Sequence, residues 1–97
     1  MRRDEALDLL WCHREEIIHR FSVKALYLFG SVARDQATND SDVDALVEFD
    51  GLPTFKRFMG LKLYLEDLFD RPVDLVTRKA LKSWARTSVE QEAIRAA

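Results

Sequence analysis

From Asp4 to Phe21 the chain reads DEALDLLWCHREEIIHRF, with Leu7, Leu10, Trp11, Ile17, Ile18 and Phe21 recurring at helical intervals and Asp4 and Glu5 suited to the positive end of a helix dipole. One amphipathic helix is predicted. The period then changes, because Val23 to Phe29 (VKALYLF) is apolar almost throughout and rich in strand-forming residues, as in a strand covered on both faces. Gly30 ends it, and Ser31 is placed to cap a short helix running to about Gln36. Turn residues fill Ala37 to Ser41 before a second apolar run, DVDALVEF. This connection is too tight for a parallel crossover, so an antiparallel or mixed pairing of the two strands is expected.

Further on, Gly51, Leu52 and Pro53 form a loop, and Thr54 is a cap for a helix from Phe55 to Phe69. Phe58, Leu61, Leu65, Leu68 and Phe69 make one stripe on it, while Leu63 and Tyr64 fall outside, so its apolar surface is wider than one core face needs. Arg71-Pro72 breaks the pattern, and Val73 to Thr77 reads as a third strand. Ala80 to Ala96 is weakly patterned helix, anchored by Trp84, Val89 and Ile94. Three strands and their helices use the 97 residues fully, which predicts a single α+β domain over 1–97.

Composition changes this picture little. With 47% hydrophobic and 33% charged residues, three Gly and two Pro, the chain is neither disordered nor fibrous. A formal net charge of −2 gives no reason to expect nucleic acid or an anionic membrane as a partner. The balance is uneven: residues 1–70 hold 9 basic and 14 acidic side chains, and residues 71–97 hold 6 and 3. The basic tail (Arg78, Lys79, Lys82, Arg86) reads as a solvated helix face, with an anionic partner as the alternative. Cys12 is the only cysteine, which excludes an internal disulfide, and no apolar run suits a membrane span or signal peptide; a cytoplasmic protein is expected. Cys12, His13 and His19 lack zinc-site spacing and read as ordinary helix residues, and Trp11 and Trp84 as packing residues. Tyr27 and Tyr64 carry nothing local that favours self-modification.

The chemistry concentrates in FGSVARDQATNDSDVDALVEF, Phe29 to Phe49. Residues two apart on a strand share a face, so Asp42 and Asp44 project together and repel unless a cation sits between them. Carboxylate oxygens combined with substrate phosphate suit Mg²⁺, and Mn²⁺ would suit the same oxygens. Asp74 interrupts the apolar VDLV run and joins the pair if its strand lies beside the second one. Three such carboxylates can hold two metal ions for in-line displacement at phosphorus. Gly30 allows close backbone approach, and the Ser31 hydroxyl with the following helix start makes an anion site for triphosphate. An EF-type calcium loop is excluded because Ala45 and Gly51 stand where Gly and Glu are wanted, and a P-loop is excluded because no Gly-Lys-Ser/Thr follows Gly30-Ser31.

Gly30-Ser31, ten residues and then Asp42-x-Asp44 resemble the GSx10DxD signature of the DNA polymerase β-like nucleotidyltransferases. GSVARDQATNDSDVDA and the downstream RPVDLVT are similar to the minimal nucleotidyltransferase branch over nearly the whole chain. The resemblance implies a short mixed sheet of three to four strands packed against helices, Gly30 and Ser31 as phosphate contacts, Asp42 and Asp44 as metal ligands, and Asp74 as the third carboxylate. Arg34 matches the family's arginine in this loop, where a phosphate contact and a surface ion pair are both open. Asp35 replaces the usual Gly, which puts loop geometry in question if that position needs a positive φ. By the same resemblance the chain is an ATP-using, Mg²⁺-dependent antitoxin. It would transfer AMP to a tyrosine of a HEPN-domain RNase toxin with which it forms a hetero-oligomer. The wide apolar face of the Phe55–Phe69 helix, with Leu63 and Tyr64, is either the contact for that partner or a core buried on two sides. A non-catalytic antitoxin and the catalytic subunit of a small-molecule nucleotidyltransferase are the alternatives.

Overall fold

The computed structural model describes residues 1–38, 40–81 and 83–97. Its frame is a four-stranded sheet of order β3-β2-β1-β4, made of β1 (Val23–Phe29), β2 (Val43–Phe49), β3 (Val73–Thr77) and β4 (Ile94–Arg95). The tight link after β1 turns the chain back, so β1 and β2 are antiparallel. The longer path through α4 (Phe55–Phe69) lets β3 lie parallel to β2. The fold is thus α+β with a mixed sheet, as expected.

The helix expected over residues 4–21 is two helices, α1 (Arg3–Cys12) and α2 (Arg14–Phe21). They divide at His13, whose backbone N–H and ring Nδ1 both donate to the Leu9 carbonyl, at 3.2 and 2.8 Å, closing the last turn of α1. The buried stripe becomes Ala6, Leu10, Ile17 and Phe21. Trp11, expected to pack, is instead 58% exposed, with the Arg14 guanidinium 4.0 Å from its ring centre.

The hydroxyl of Thr54 caps α4, accepting the Arg57 N–H at 3.1 Å. Leu61, Leu65 and Phe69 turn into the core. Leu63 is 56% exposed, but Tyr64 does not share that open face. Its ring meets Phe21 edge-on at 5.5 Å and its hydroxyl donates to Glu16 at 3.1 Å; burial and then Glu16 push the phenol pKa up. Tyr64 therefore fastens α4 to α2.

The core lies between these helices and one sheet face, where Leu26, Leu28, Val43, Ala45, Val47, Val73 and Leu75 meet the helical stripes. Strand alternation sends Asp44 and Asp74 to the opposite face.

The helix expected over residues 80–96 is shorter, with a 3₁₀ turn at Arg78–Ala80, then α5 (Ser83–Glu92), then β4. Two residues of strand leave no period to read, and it is the free edge of β1 that captures them: Ala96 N–H donates to the Leu26 carbonyl at 2.8 Å, and Leu26 N–H to that of Ala97 at 3.2 Å. Lys82 and the Trp84 side chain lie outside the described residues. In the basic tail, Arg78 pairs with Glu48 at 2.7 Å and stands 5.8 Å from the Tyr27 ring centre, and Arg86 donates to the Arg78 and Leu81 carbonyls. Two of its cations are thus engaged within the chain. Among the described residues no helix is long and apolar enough to cross a membrane.

Candidate active site

Two registers bring the sequence-predicted residues to one end of the sheet. Asp44 pairs with Phe29 across β1–β2 and with Asp74 across β2–β3. Gly30, one step past Phe29, therefore lies against Asp44. Its φ is +75°, and a Cβ built there would stand 2.9 Å from Asp44 Cγ and run into Oδ2. Glycine is needed twice over, for the left-handed backbone and for the space the carboxyl fills. Asp42 sits just before β2 and is exposed, as is Asp74, whereas Asp44 is half-buried.

This crowding sets the electrostatics. The Asp44 carboxyl is pushed from 3.8 up to about 6, first by burial, then by the charges of Asp74 and Asp42, with Glu92 adding to them and Arg34 opposing. Among the described residues no three acidic, histidine or cysteine side chains close into a ready metal cage. The donor set nevertheless fits Mg²⁺, which takes one or two carboxylates and completes its shell with water and substrate phosphate. A strained carboxyl beside two others gains most from a cation.

The Gly-Ser turn differs from expectation. In place of a helix capped by Ser31 and reaching Gln36, α3 is a single turn, Gly30–Ala33, with Phe29 at its N-cap and no side-chain cap. A dipole of one turn adds little for an anion. What remains is the Gly30 N–H, the Ser31 hydroxyl, which makes no hydrogen bond among the described residues, and Arg34, the residue closing the turn. Asp35 does adopt a left-handed backbone, φ +58°, and its carboxylate accepts the Arg3 N–H at 3.0 Å, which secures the loop to the start of α1.

Sequence reasoning missed Glu92. It closes α5 and receives both the Gly30 N–H, at 2.9 Å, and Arg34, whose Nη1 lies 2.9 Å from Oε2. Arg34 thus makes an ion pair within the chain. Nothing local in SVEQEAIRAA distinguishes this glutamate from Glu90. A cavity of about 630 Å³ beside Asp40, Ser41 and Pro72 contains none of the six predicted residues.

Residues 12–96 match the family model described as the nucleotidyltransferase domain. The protein adenylyltransferase MntA of Thermococcus cleftensis is 40% identical over 91 residues, which span 94% of this chain and 92% of that protein. Among solved structures, one described as a minimal nucleotidyltransferase superposes with a TM-score of 0.76 at 37% identity, covering 97% of this chain and 95% of the other. A chain from the complex of tri-AMPylated Shewanella oneidensis HEPN toxin with its MNT antitoxin gives a TM-score of 0.67 over 94% of this chain and 71% of that one. Its 18% identity makes this a likeness of fold. Glycine turn, paired aspartates and matched relatives agree: the chain belongs to the nucleotidyltransferase domain family, in its minimal branch.

Proposed function

We propose that this protein transfers AMP from ATP to a tyrosine hydroxyl of a HEPN RNase toxin and, as the antitoxin of that pair, neutralises it. The observation that carries the transferase reading is the register that sets Asp44 opposite Asp74 beside the Gly30 turn. A protein acceptor is supported by a relative named a protein adenylyltransferase at 40% identity and by the same fold in a complex with an AMPylated HEPN toxin.

Each side chain then has a task. The Gly30 N–H, the Ser31 hydroxyl and the Arg34 guanidinium hold the triphosphate, the last by the planar fork that suits phosphate. Asp42, Asp44 and Asp74 would hold Mg²⁺, which, when bound, neutralises phosphate charge and makes the attacking hydroxyl more acidic. Asp74, which is exposed, accepts the phenolic proton. The tyrosyl oxygen bonds to the α-phosphorus as the bond from that phosphorus to the pyrophosphate oxygen breaks, and the proton passes from Asp74 to solvent. No side chain of the transferase itself becomes covalently modified.

Intact-protein mass spectrometry tests this directly, with the chain, its toxin, ATP and Mg²⁺ incubated together and an Asp42→Ala/Asp44→Ala variant as control. A gain of one or more AMP units on the toxin, absent with the variant, is expected, and peptide mapping should place it on tyrosine. A stable complex without mass gain would leave an antitoxin that acts by binding alone. Label appearing in a low-molecular-weight product would point to a small-molecule transferase.

A further inference from the structure

Gly30 and Arg34 share one acceptor, and it comes from the far end of the chain. The Gly30 N–H donates to Glu92 Oε1 at 2.9 Å, and Arg34 Nη1 reaches Oε1 and Oε2 at 3.2 and 2.9 Å. The register of β4 explains the meeting. Tyr27 pairs with Arg95 and Leu28 with Ile94, which sets the end of α5, just before β4, beside the start of α3, just after β1. Glu92, the last residue of α5, is thus positioned by the strand pairing that follows it.

A carboxylate that receives a backbone N–H and a guanidinium presents the recognition chemistry of two phosphate oxygens. The same two groups cannot fully serve both anions. We propose that Glu92 is an internal stand-in for substrate phosphate: it holds Gly30 and Arg34 in a receptive geometry and gives them up when a nucleoside triphosphate enters. The inference rests on the reading of Gly30 and Arg34 as phosphate contacts. Release needs only rotation of a side chain that is 30% exposed, because β4 stays tied to β1 through the Ala96 N–H. The carboxylate both competes for the donors and repels the incoming charge, so it lowers affinity for triphosphate while leaving nucleoside contacts alone.

Calorimetric titration of a non-hydrolysable ATP analogue with Mg²⁺, and of adenosine, into wild type, Glu92→Gln, Glu92→Ala and Arg34→Ala tests it, with thermal melts to establish that each variant folds. Glu92→Ala should bind the analogue about 5- to 20-fold more tightly, Glu92→Gln should gain less, and adenosine should be indifferent. Loss of a merely structural contact would not tighten binding. Unchanged or weaker binding by both folded Glu92 variants overturns the proposal and makes Glu92 a prop for Arg34. In that case weaker binding by Arg34→Ala would leave the phosphate reading standing, whereas Arg34→Ala without effect would overturn the phosphate reading and the inference together.

Discussion

Replacing Asp44 by Asn should make the metal-free protein more stable while abolishing its activity. The Asp44 carboxyl titrates at about 6 instead of 3.8, pushed up by burial and by Asp74 and Asp42. Because the folded value is raised, the native state holds the proton more tightly than the unfolded chain does. The site therefore carries no penalty below about pH 4, and stability is lost as pH rises through about 6. The shift of roughly two units corresponds to about 3 kcal/mol at 1.36 kcal/mol per unit. Asp44 is only half-buried, so water and counter-ions screen it, and about 1–2 kcal/mol is the realistic effect. Asn removes the charge at nearly constant volume. Urea unfolding followed by far-UV circular dichroism, with EDTA at low salt, should show Asp44→Asn more stable by about 1–2 kcal/mol at about pH 7.5, equivalent to about 5–10 °C in Tm. The difference should shrink to a few tenths of a kcal/mol near pH 4, where both side chains are neutral. Added Mg²⁺ should stabilise wild type and leave the variant unmoved. An Asn variant no more stable than wild type at neutral pH, or equally favoured at both pH values, would refute the picture of a carboxyl held under strain for a cation.

Gly30→Ala forces a methyl into the Asp44 carboxyl at a φ of +75°, so nucleotide transfer should fall by at least about 100-fold with a stability loss of about 1–3 kcal/mol; a folded variant with normal transfer would disprove the close approach. At Asp35, φ +58°, substitution by Gly should change stability by less than about 0.5 kcal/mol, because backbone relief offsets the lost Arg3 contact, whereas Ala should cost about 1–2 kcal/mol; thermal melts in the reverse order would contradict this. Leu63 is 56% exposed, so Leu63→Glu should leave Tm within about 2 °C and weaken toxin binding about tenfold in calorimetry. Unchanged affinity there would move the docking surface off α4.

Elements whose cause is local could be read from the residues alone. β1, β2 and β3 follow from apolar runs, and α4 follows from its stripe and the Thr54 cap, since period and capping are properties of neighbouring residues. The chemical content of the candidate site was legible for the same reason: Asp42 and Asp44 share a face by spacing alone, and the VDLV run exposes Asp74 as an unexplained charge. Everything that depends on which segments meet was set by the folded chain. The break at His13 reflects a ring that reaches back to Leu9, against an unbroken apolar period. The left-handed backbone at Asp35 became visible only with the loop in place. The C-terminal segment read as helix because its composition permits one, and the free edge of β1 then drew Ile94 and Arg95 into the sheet. That pairing sets the end of α5 beside the start of α3, so Glu92 meets Gly30 and Arg34 across about sixty residues of chain, a contact that no local pattern encodes because it depends on which segments pair.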